Sequence, residues 1–195
     1  MTASRPVAAM VLAAGLSRRF GDDNKLLEPL GETTIIAATT QLLATAGAAP
    51  VLVVTGHDVD AIVAAVAGPE IRCHANPAFA DGMGTSIAAG VRALEDDAID
   101  GVLIALGDMP FVRPATIAAL LGAFASTDDI IVPTRDGRRG HPVLFGRTHF
   151  TALAGCTGDI GARAVLEREA AAIKIVATSD DGVLRDIDRP EDLTD

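Results

Sequence analysis

Apolar runs of strand length alternate along the chain with Ala- and Leu-rich stretches of helix length. Val7–Leu12 reads as a first buried strand, Val51–Thr55 as a second and Ile71–His74 as a weaker third. Gly101–Leu106 reads as the most buried strand, and Ile130–Pro133, Pro142–Phe145 and Ile173–Ala177 as further ones. Thr33-Thr34 can cap a helix over Ile35–Ala46, which Gly47 and Pro50 close. Helices are also predicted over Val59–Ala67, over Gly84–Leu94, over Ala115–Phe124 behind Pro114, and near Gly161–Glu169. Continuous apolar strands alternating with helices predict a mainly parallel sheet covered on both faces. The expected fold is α/β: a three-layer α/β/α, Rossmann-like arrangement in a single domain over residues 1–195. The arginine-rich turn Arg135–Gly140 interrupts the alternation and predicts a small β-excursion.

In folds of this kind ligands bind at the carboxyl ends of the strands. Five polar clusters follow strands here: Ala13–Lys25, Gly56–Asp58, Asn76–Ser86, Gly107–Pro110 and Asp186–Asp192. Their convergence predicts one active site. The first cluster is the most informative. An Ala13-Ala14-Gly15 turn of small residues lets backbone approach a ligand, and successive N–H groups in such a turn cradle anions. Arg18, Arg19 and Lys25 follow it in a chain of formal net charge −10. A cationic loop after a first strand suits a polyphosphate. Neither G-x-x-x-x-G-K-[ST] nor a complete G-x-G-x-x-G is present.

Composition narrows the partners. Aromatic residues make up 3%, all phenylalanine, so Tyr and Trp stacking on bases is absent. With a pI near 4.7 this argues against nucleic-acid binding. Cys73 and Cys156 have neither metal-site nor disulfide-framework spacing, as suits a reducing compartment. No apolar run approaches the ~20 residues of a membrane helix, and no signal-peptide pattern opens the chain. A soluble, cytoplasmic protein with no membrane partner is expected.

Asp108, directly after the most buried strand, cannot be buried bare and must meet a cation. Magnesium, which takes one or two protein carboxylates plus substrate phosphates, fits a strand end facing a phosphate loop; the bland alternative is a turn residue capping the helix behind Pro114. Asp186 and Asp188 alternate, so on an extended segment they point the same way, as a second metal contact requires. Pro190, Glu191 and Asp192 after them suit a first helical turn. In Asp81–Ser86, Gly82 and Gly84 allow close approach, and Thr85 or Ser86 offers either a ribose contact or an ordinary N-cap. Arg135, Arg138 and Arg139 can present several guanidiniums to an anionic second substrate with His141 beside them, yet Asp136-Gly137 is equally a plain hairpin turn. His57, His74 and His149 read as structural or solvated.

Together these motifs resemble the nucleotidyltransferases related to molybdenum cofactor cytidylyltransferase, within the glycosyltransferase-A-like superfamily of the nucleotide-diphospho-sugar transferase type. The likeness runs through LAAGLSRRFG, NKLL, TGHD, NPAFADGMGTSIAAG, LGDMPFV, GHPVLFGR, GDIGAR and DIDRPEDL, nearly the whole chain. It implies that Leu12, Ala13, Ala14 and Gly15 meet the nucleotide, and that Arg19 and Lys25 hold its phosphates. It places Gly82 and Ser86 near base and ribose. Asp108, with Asp186 or Asp188, would hold Mg2+, so that Lys25, Arg19 and Asp108 form the catalytic set. Arg138, Arg139 and His141 fall on the acceptor side. Ala14 matches the cytidylyl-transferring form. The implied reaction moves CMP from CTP to the terminal phosphate of molybdopterin and releases pyrophosphate, with a molybdoenzyme or its chaperone as a further partner. A sugar or polyol phosphate acceptor, or a non-catalytic cofactor-binding protein, are the rival readings. Two departures stand out: Asp22, Asp23 and Asn24 lengthen the loop before Lys25, and Arg189 replaces the threonine usual before Pro190.

Overall fold

The computed structural model describes residues 5–15, 24–66 and 68–193. The chain enters through β1 (Val7–Ala13), then a short hairpin of β2 (Pro29–Leu30) and β3 (Thr33–Thr34), which leads into α1 (Ile35–Thr45). β4 (Val51–Thr55), α2 (Val59–Ala65), β5 (Ile71–Ala75) and α3 (Met83–Ala93) follow. Next come β6 (Gly101–Leu106), α4 (Pro114–Ala123), β7 (Ile130–Arg135), β8 (Arg138–Arg139) and β9 (Val143–Gly146). The last elements are α5 (Phe150–Ala154), α6 (Arg163–Arg168) and β10 (Ile173–Ala177).

The main sheet has the order β10-β7-β9-β6-β1-β4-β5, with β8 paired to β7. All neighbours in the main path are parallel except β9, which runs antiparallel to both β6 and β7. The direction of β9 follows from chain length. Only residues 136–142 separate it from β7, too few for the crossover of a dozen or more residues that a parallel return needs. The expected β-excursion is therefore a hairpin at Asp136-Gly137, followed by a strand that returns into the sheet.

Side chains alternate across the sheet and divide the core in two. Val7, Ala9, Val11, Ala13, Val51, Val53, Leu103 and Ala105 pack with residues of α1, α2 and α4. Ala8, Met10, Leu52, Val54, Val102 and Ile104 pack on the other face with residues of α3, α5 and α6. This is the predicted three-layer, single-domain α/β fold. α3 lies so close to the sheet that a Cβ at Gly90 would stand 2.6 Å from Met10 Sδ. Thr34 caps α1 through Ala37 N, as expected, whereas β2, β3 and α5 were not anticipated. Among the described residues no helix is long and apolar enough to cross a membrane.

Candidate active site

The carboxyl ends of β1, β4 and β6 meet at one edge of the sheet. Gly107 N donates to Leu12 O at 3.0 Å, which ties the turn after β6 to the end of β1. Ala13 and Ala14 are buried and Gly15 is exposed. The smallness of this turn has a packing cause as well: a Cβ at Gly56 would stand 2.9 Å from that of Ala14 and 2.5 Å from Phe79. Arg18, Arg19 and the Asp22-Asp23 insertion lie outside the described residues.

Lys25 opens a short 3-10 turn whose backbone is held from three sides. Asn24 Oδ1 accepts from Leu26 N at 3.1 Å, Asn24 Nδ2 donates to Asp58 Oδ2 at 3.3 Å, and Leu26 is buried in the core. Asp58 itself sits in the left-handed region, φ 53°, where few non-glycine residues are found. From this anchored base Lys25 Nζ donates to Asp108 Oδ2 at 2.6 Å, to Ile187 O at 2.9 Å and to Asp188 Oδ1 at 3.4 Å. The cation that Asp108 requires is therefore present within the chain, 83 residues away in sequence.

The two halves of the acidic cluster are joined by backbone. Ile187 is fully buried, and its N–H donates to Asp108 O at 3.0 Å. Asp186 and Asp188 flank that anchor, and each brings a carboxylate oxygen to the same group as Asp108. Ligand oxygens of Asp108, Asp186 and Asp188 all lie within 4.8 Å of one another. That span is close to twice the about 2.1 Å bond of magnesium to oxygen. The segment leading to them is fixed upstream. Asp180 Oδ2 accepts from Arg113 N and Thr116 Oγ1 at the start of α4, and a Cβ at Gly182 would stand 2.2 Å from Phe111 O. Asp192 closes the cluster from below, its Oδ2 accepting from the amides of Asp188 and Arg189. Those two amide bonds hold its carboxyl below the usual carboxylate value.

One observation tests whether a divalent cation fits here. Asp108 Oδ1 is buried and has no hydrogen-bond partner. An unsatisfied carboxylate oxygen in such a place is costly, and Lys25 brings one positive charge to three carboxylates. The donor set is all oxygen, which suits Mg2+ or Mn2+. Asp108, Asp186 and Asp188 are the residues that would hold it.

His141 joins the same cluster. Gly140 must be glycine because a Cβ there would stand 2.3 Å from Val183 O, and His141 N donates to that same carbonyl at 2.9 Å. Burial pushes the His141 pKa down, opposed by the Asp108 carboxylate, the backbone of Ile104 and the Asp186 carboxylate. Its Nδ1 is the second buried polar atom without a partner.

The other expected residues separate from this centre. Arg138 and Arg139 are exposed on the hairpin, where Asp136 and Gly137 both have positive φ, 50° and 78°. Two such residues are what a tight I′-type turn requires, so the hairpin reading holds. Arg135 does not add a third guanidinium to it, because its side chain is bound to Asp181 and Asp136, each at 2.7 Å. At the start of α3 the N-cap is Gly82 rather than Thr85 or Ser86. The close approach of Gly82 and Gly84 is to protein: a Cβ on either would meet the backbone of residues 157–158 within 2.7 Å. Ser86 is buried, its hydroxyl accepting from Asn76 Nδ2 at 3.0 Å, while Asn76 also donates to Thr85 Oγ1 at 2.9 Å. Asn76, Asn24 and Asp58 are the organising residues that sequence reasoning left without roles. Their signals were the Asn76-Pro77 turn and the polar Gly56–Asp58 cluster.

Comparison with known proteins identifies the family. Residues 9–173 match the model of the MobA-like NTP transferase domain. The purine catabolism protein PucB of Bacillus subtilis is 32% identical, with 93% of this chain and 91% of PucB covered. Nicotine blue oxidoreductase of Paenarthrobacter nicotinovorans is 28% identical over 96% and 94% of the two chains. Among solved structures, a nucleotidyl transferase from Methanothermobacter thermautotroptrophicus superposes with a TM-score of 0.83 at 27% identity, covering 96% and 94%. Rv0371c of Mycobacterium tuberculosis H37Rv gives 0.82 at 28%, covering 98% and 96%, and its manganese complex 0.72 at 26%, covering 90% and 89%. The match over most of the chain leads to one assignment: this chain belongs to the MobA-like NTP transferase family and is a nucleotidyltransferase.

Proposed function

We propose that the enzyme transfers CMP from CTP to the terminal phosphate of a molybdopterin-type acceptor, using Mg2+ held by Asp108, Asp186 and Asp188. The observation that carries the proposal is the Lys25–Asp108–Asp186–Asp188 cluster at the strand ends, beside the Ala13-Ala14-Gly15 turn. The choice of CTP rests on Ala14, and the choice of acceptor on the GHPVLF and GDIGAR segments, both by resemblance. The manganese complex of the Mycobacterium tuberculosis relative supports a divalent cation.

An acceptor phosphate oxygen attacks the α-phosphorus of CTP; the new P–O bond forms as the α–β bridge breaks, and pyrophosphate leaves with the electron pair. A phosphate monoester is already ionised near neutrality, so no general base is needed. A bound divalent cation supplies charge neutralisation at the phosphate oxygens. The chain's own contribution is positioning and preorganised charge. Leu12 to Gly15 offer backbone to the nucleotide, and by resemblance Arg19 has the role of holding its phosphates. Lys25 exchanges part of its carboxylate contacts for phosphate oxygen. Gly82 and Ser86 shape the nucleoside side by holding the start of α3 rather than by free hydroxyls. Arg138 and Arg139, exposed on the hairpin, are proposed to receive the acceptor phosphate bidentately.

The oxidoreductase name of the Paenarthrobacter relative offers a second reading. The carboxylate cluster and Lys25 favour phosphate chemistry over it. The test is pyrophosphate release with each nucleoside triphosphate, with molybdopterin, a sugar phosphate or no acceptor, beside an assay for NAD(P)H oxidation. Release with CTP that depends on molybdopterin is expected. Preference for GTP would remove the inference from Ala14, preference for a sugar phosphate would replace the acceptor, and nicotinamide oxidation without pyrophosphate release would overturn the proposal.

A further inference from the structure

Two buried polar atoms in this cluster, Asp108 Oδ1 and His141 Nδ1, have no hydrogen-bond partner. Strand pairing brings the two residues to the same end of β6: Val143, two residues after His141, pairs with Ile104, four residues before Asp108, and the carboxylates of Asp108 and Asp186 act on the His141 ring. The two unpartnered atoms are not bonded to each other. In the neutral imidazole that carries its proton on Nε2, Nδ1 holds the lone pair. An acceptor facing carboxylate acceptors is the wrong complement for a static structure, and leaving both buried atoms unmet is costly. A divalent cation at Asp108 Oδ1, with a water of its shell donating to His141 Nδ1, meets both atoms at once. Magnesium and manganese retain several waters when a few carboxylates bind them.

We propose that His141 is a positioning residue for the cation site, accepting through Nδ1 a hydrogen bond from the hydration shell of the divalent ion held by Asp108. Chain geometry supports a fixed rather than an adaptable role. Gly140 packs against Val183, His141 N is tied to Val183 O, and Val183 lies four residues before Ile187, which anchors Asp186 and Asp188. One backbone strip therefore sets both the carboxylates and the imidazole. Neutral Nδ1 adds no charge to the cluster. It selects the orientation of the cation's water shell and hence the side on which phosphate oxygens replace water. Outer partners of this kind typically alter metal affinity by roughly 10–100-fold.

The inference rests on the metal-dependent reading above, and the experiment separates the two. Mn2+ binding is measured by electron paramagnetic resonance, and its hydration by water-proton relaxation, for the wild type, Asp108→Asn, His141→Leu, His141→Ala and His141→Asn. Melting temperatures are followed by circular dichroism. The wild type is expected to bind Mn2+ and Asp108→Asn to lose it. The Leu and Ala variants should fold, bind Mn2+ about 10-fold or more weakly and show altered relaxation. Asn, whose amide oxygen can accept in place of Nδ1, should recover most of that affinity. Wild-type affinity and relaxation in either apolar variant overturn the inference alone, as does an Asn variant no better than Ala. Unchanged Mn2+ binding with a raised acceptor KM returns His141 to the acceptor side and also overturns it. A wild type that binds no Mn2+, or an Asp108→Asn that binds it equally, overturns the metal reading and this inference with it.

Discussion

Two charged regions of this molecule, both read from sequence as site candidates, have opposite physical characters. In the cluster at the ends of β1 and β6, Lys25 and Asp108 keep 16% and 17% of their side-chain exposure and meet at 2.6 Å. In the β7–β8 hairpin, Arg138 and Arg139 stand exposed and Arg135 is already paired with acids. In the first region each charge is fixed by backbone anchors: Asn24 beneath Lys25, Ile187 between Asp186 and Asp188, Gly107 before Asp108. In the second, the turn fixes the backbone while Arg138 and Arg139 extend into solvent. Charge held in place with little solvent acts strongly on a transition state, whereas exposed charge acts on encounter and weak binding. The proposed function gives chemistry to the first region and acceptor capture to the second.

The comparison predicts graded effects. Asp108→Asn should lower kcat on the order of 10²–10³-fold while the far-UV spectrum is retained, since it removes charge where the transition state develops it. Near-normal turnover at saturating Mg2+ would take Asp108 out of the mechanism. Lys25→Met should lower kcat/KM for the nucleotide by about 10–100-fold, the effect of losing one charge-assisted contact to phosphate. It should also destabilise the protein by roughly 1–2 kcal/mol, less than the about 3–5 kcal/mol of a fully buried broken pair. Added Mg2+ should restore much of that stability, because the ion supplies the missing charge; a melting temperature insensitive to both mutation and metal would show the Lys25 contacts to be idle.

Arg138→Ala should raise the acceptor KM by about 3–10-fold, a single exposed guanidinium contact, and leave CTP binding by calorimetry and the melting temperature unchanged. Wild-type kinetics would reduce the hairpin to a solvated turn. The smallest effect is expected at Asp192. Its folded pKa lies below the ordinary carboxylate value, so its contribution is present above about pH 4 and is lost as pH falls through the folded value. Asp192→Asn should lower the melting temperature by about 1–2 °C near neutral pH. The gap from wild type should close in acid, and a gap that widens in acid would contradict the capping role.

Much of this was legible in the sequence because it is local. Continuous apolar runs gave the strands, Pro114 and Thr34 the helix starts, and the position of Asp108 after the most apolar strand its need for a cation. What stayed hidden is pairing at a distance. Nothing in the residues near Asp108 says that Lys25 meets it, or that Asp180 caps α4 from beyond β10, because such contacts are set by the closed sheet. Glycines misled in one direction: Gly82 and Gly84 read as room for a ligand, and the room is filled by residues 157–158. The antiparallel course of β9 was available from the short span after β7 and was obscured by the parallel pattern elsewhere.

The central claim is that Asp108, Asp186 and Asp188 hold a divalent cation required for nucleotidyl transfer. Its most direct test is pyrophosphate release from CTP and molybdopterin followed across a Mg2+ titration of chelator-stripped protein, with Asp186→Asn and Asp188→Asn beside the wild type. No release is expected without metal, with saturable recovery by Mg2+ or Mn2+ and a higher metal requirement in at least one of the two variants. Release that persists at full rate in excess chelator would contradict it.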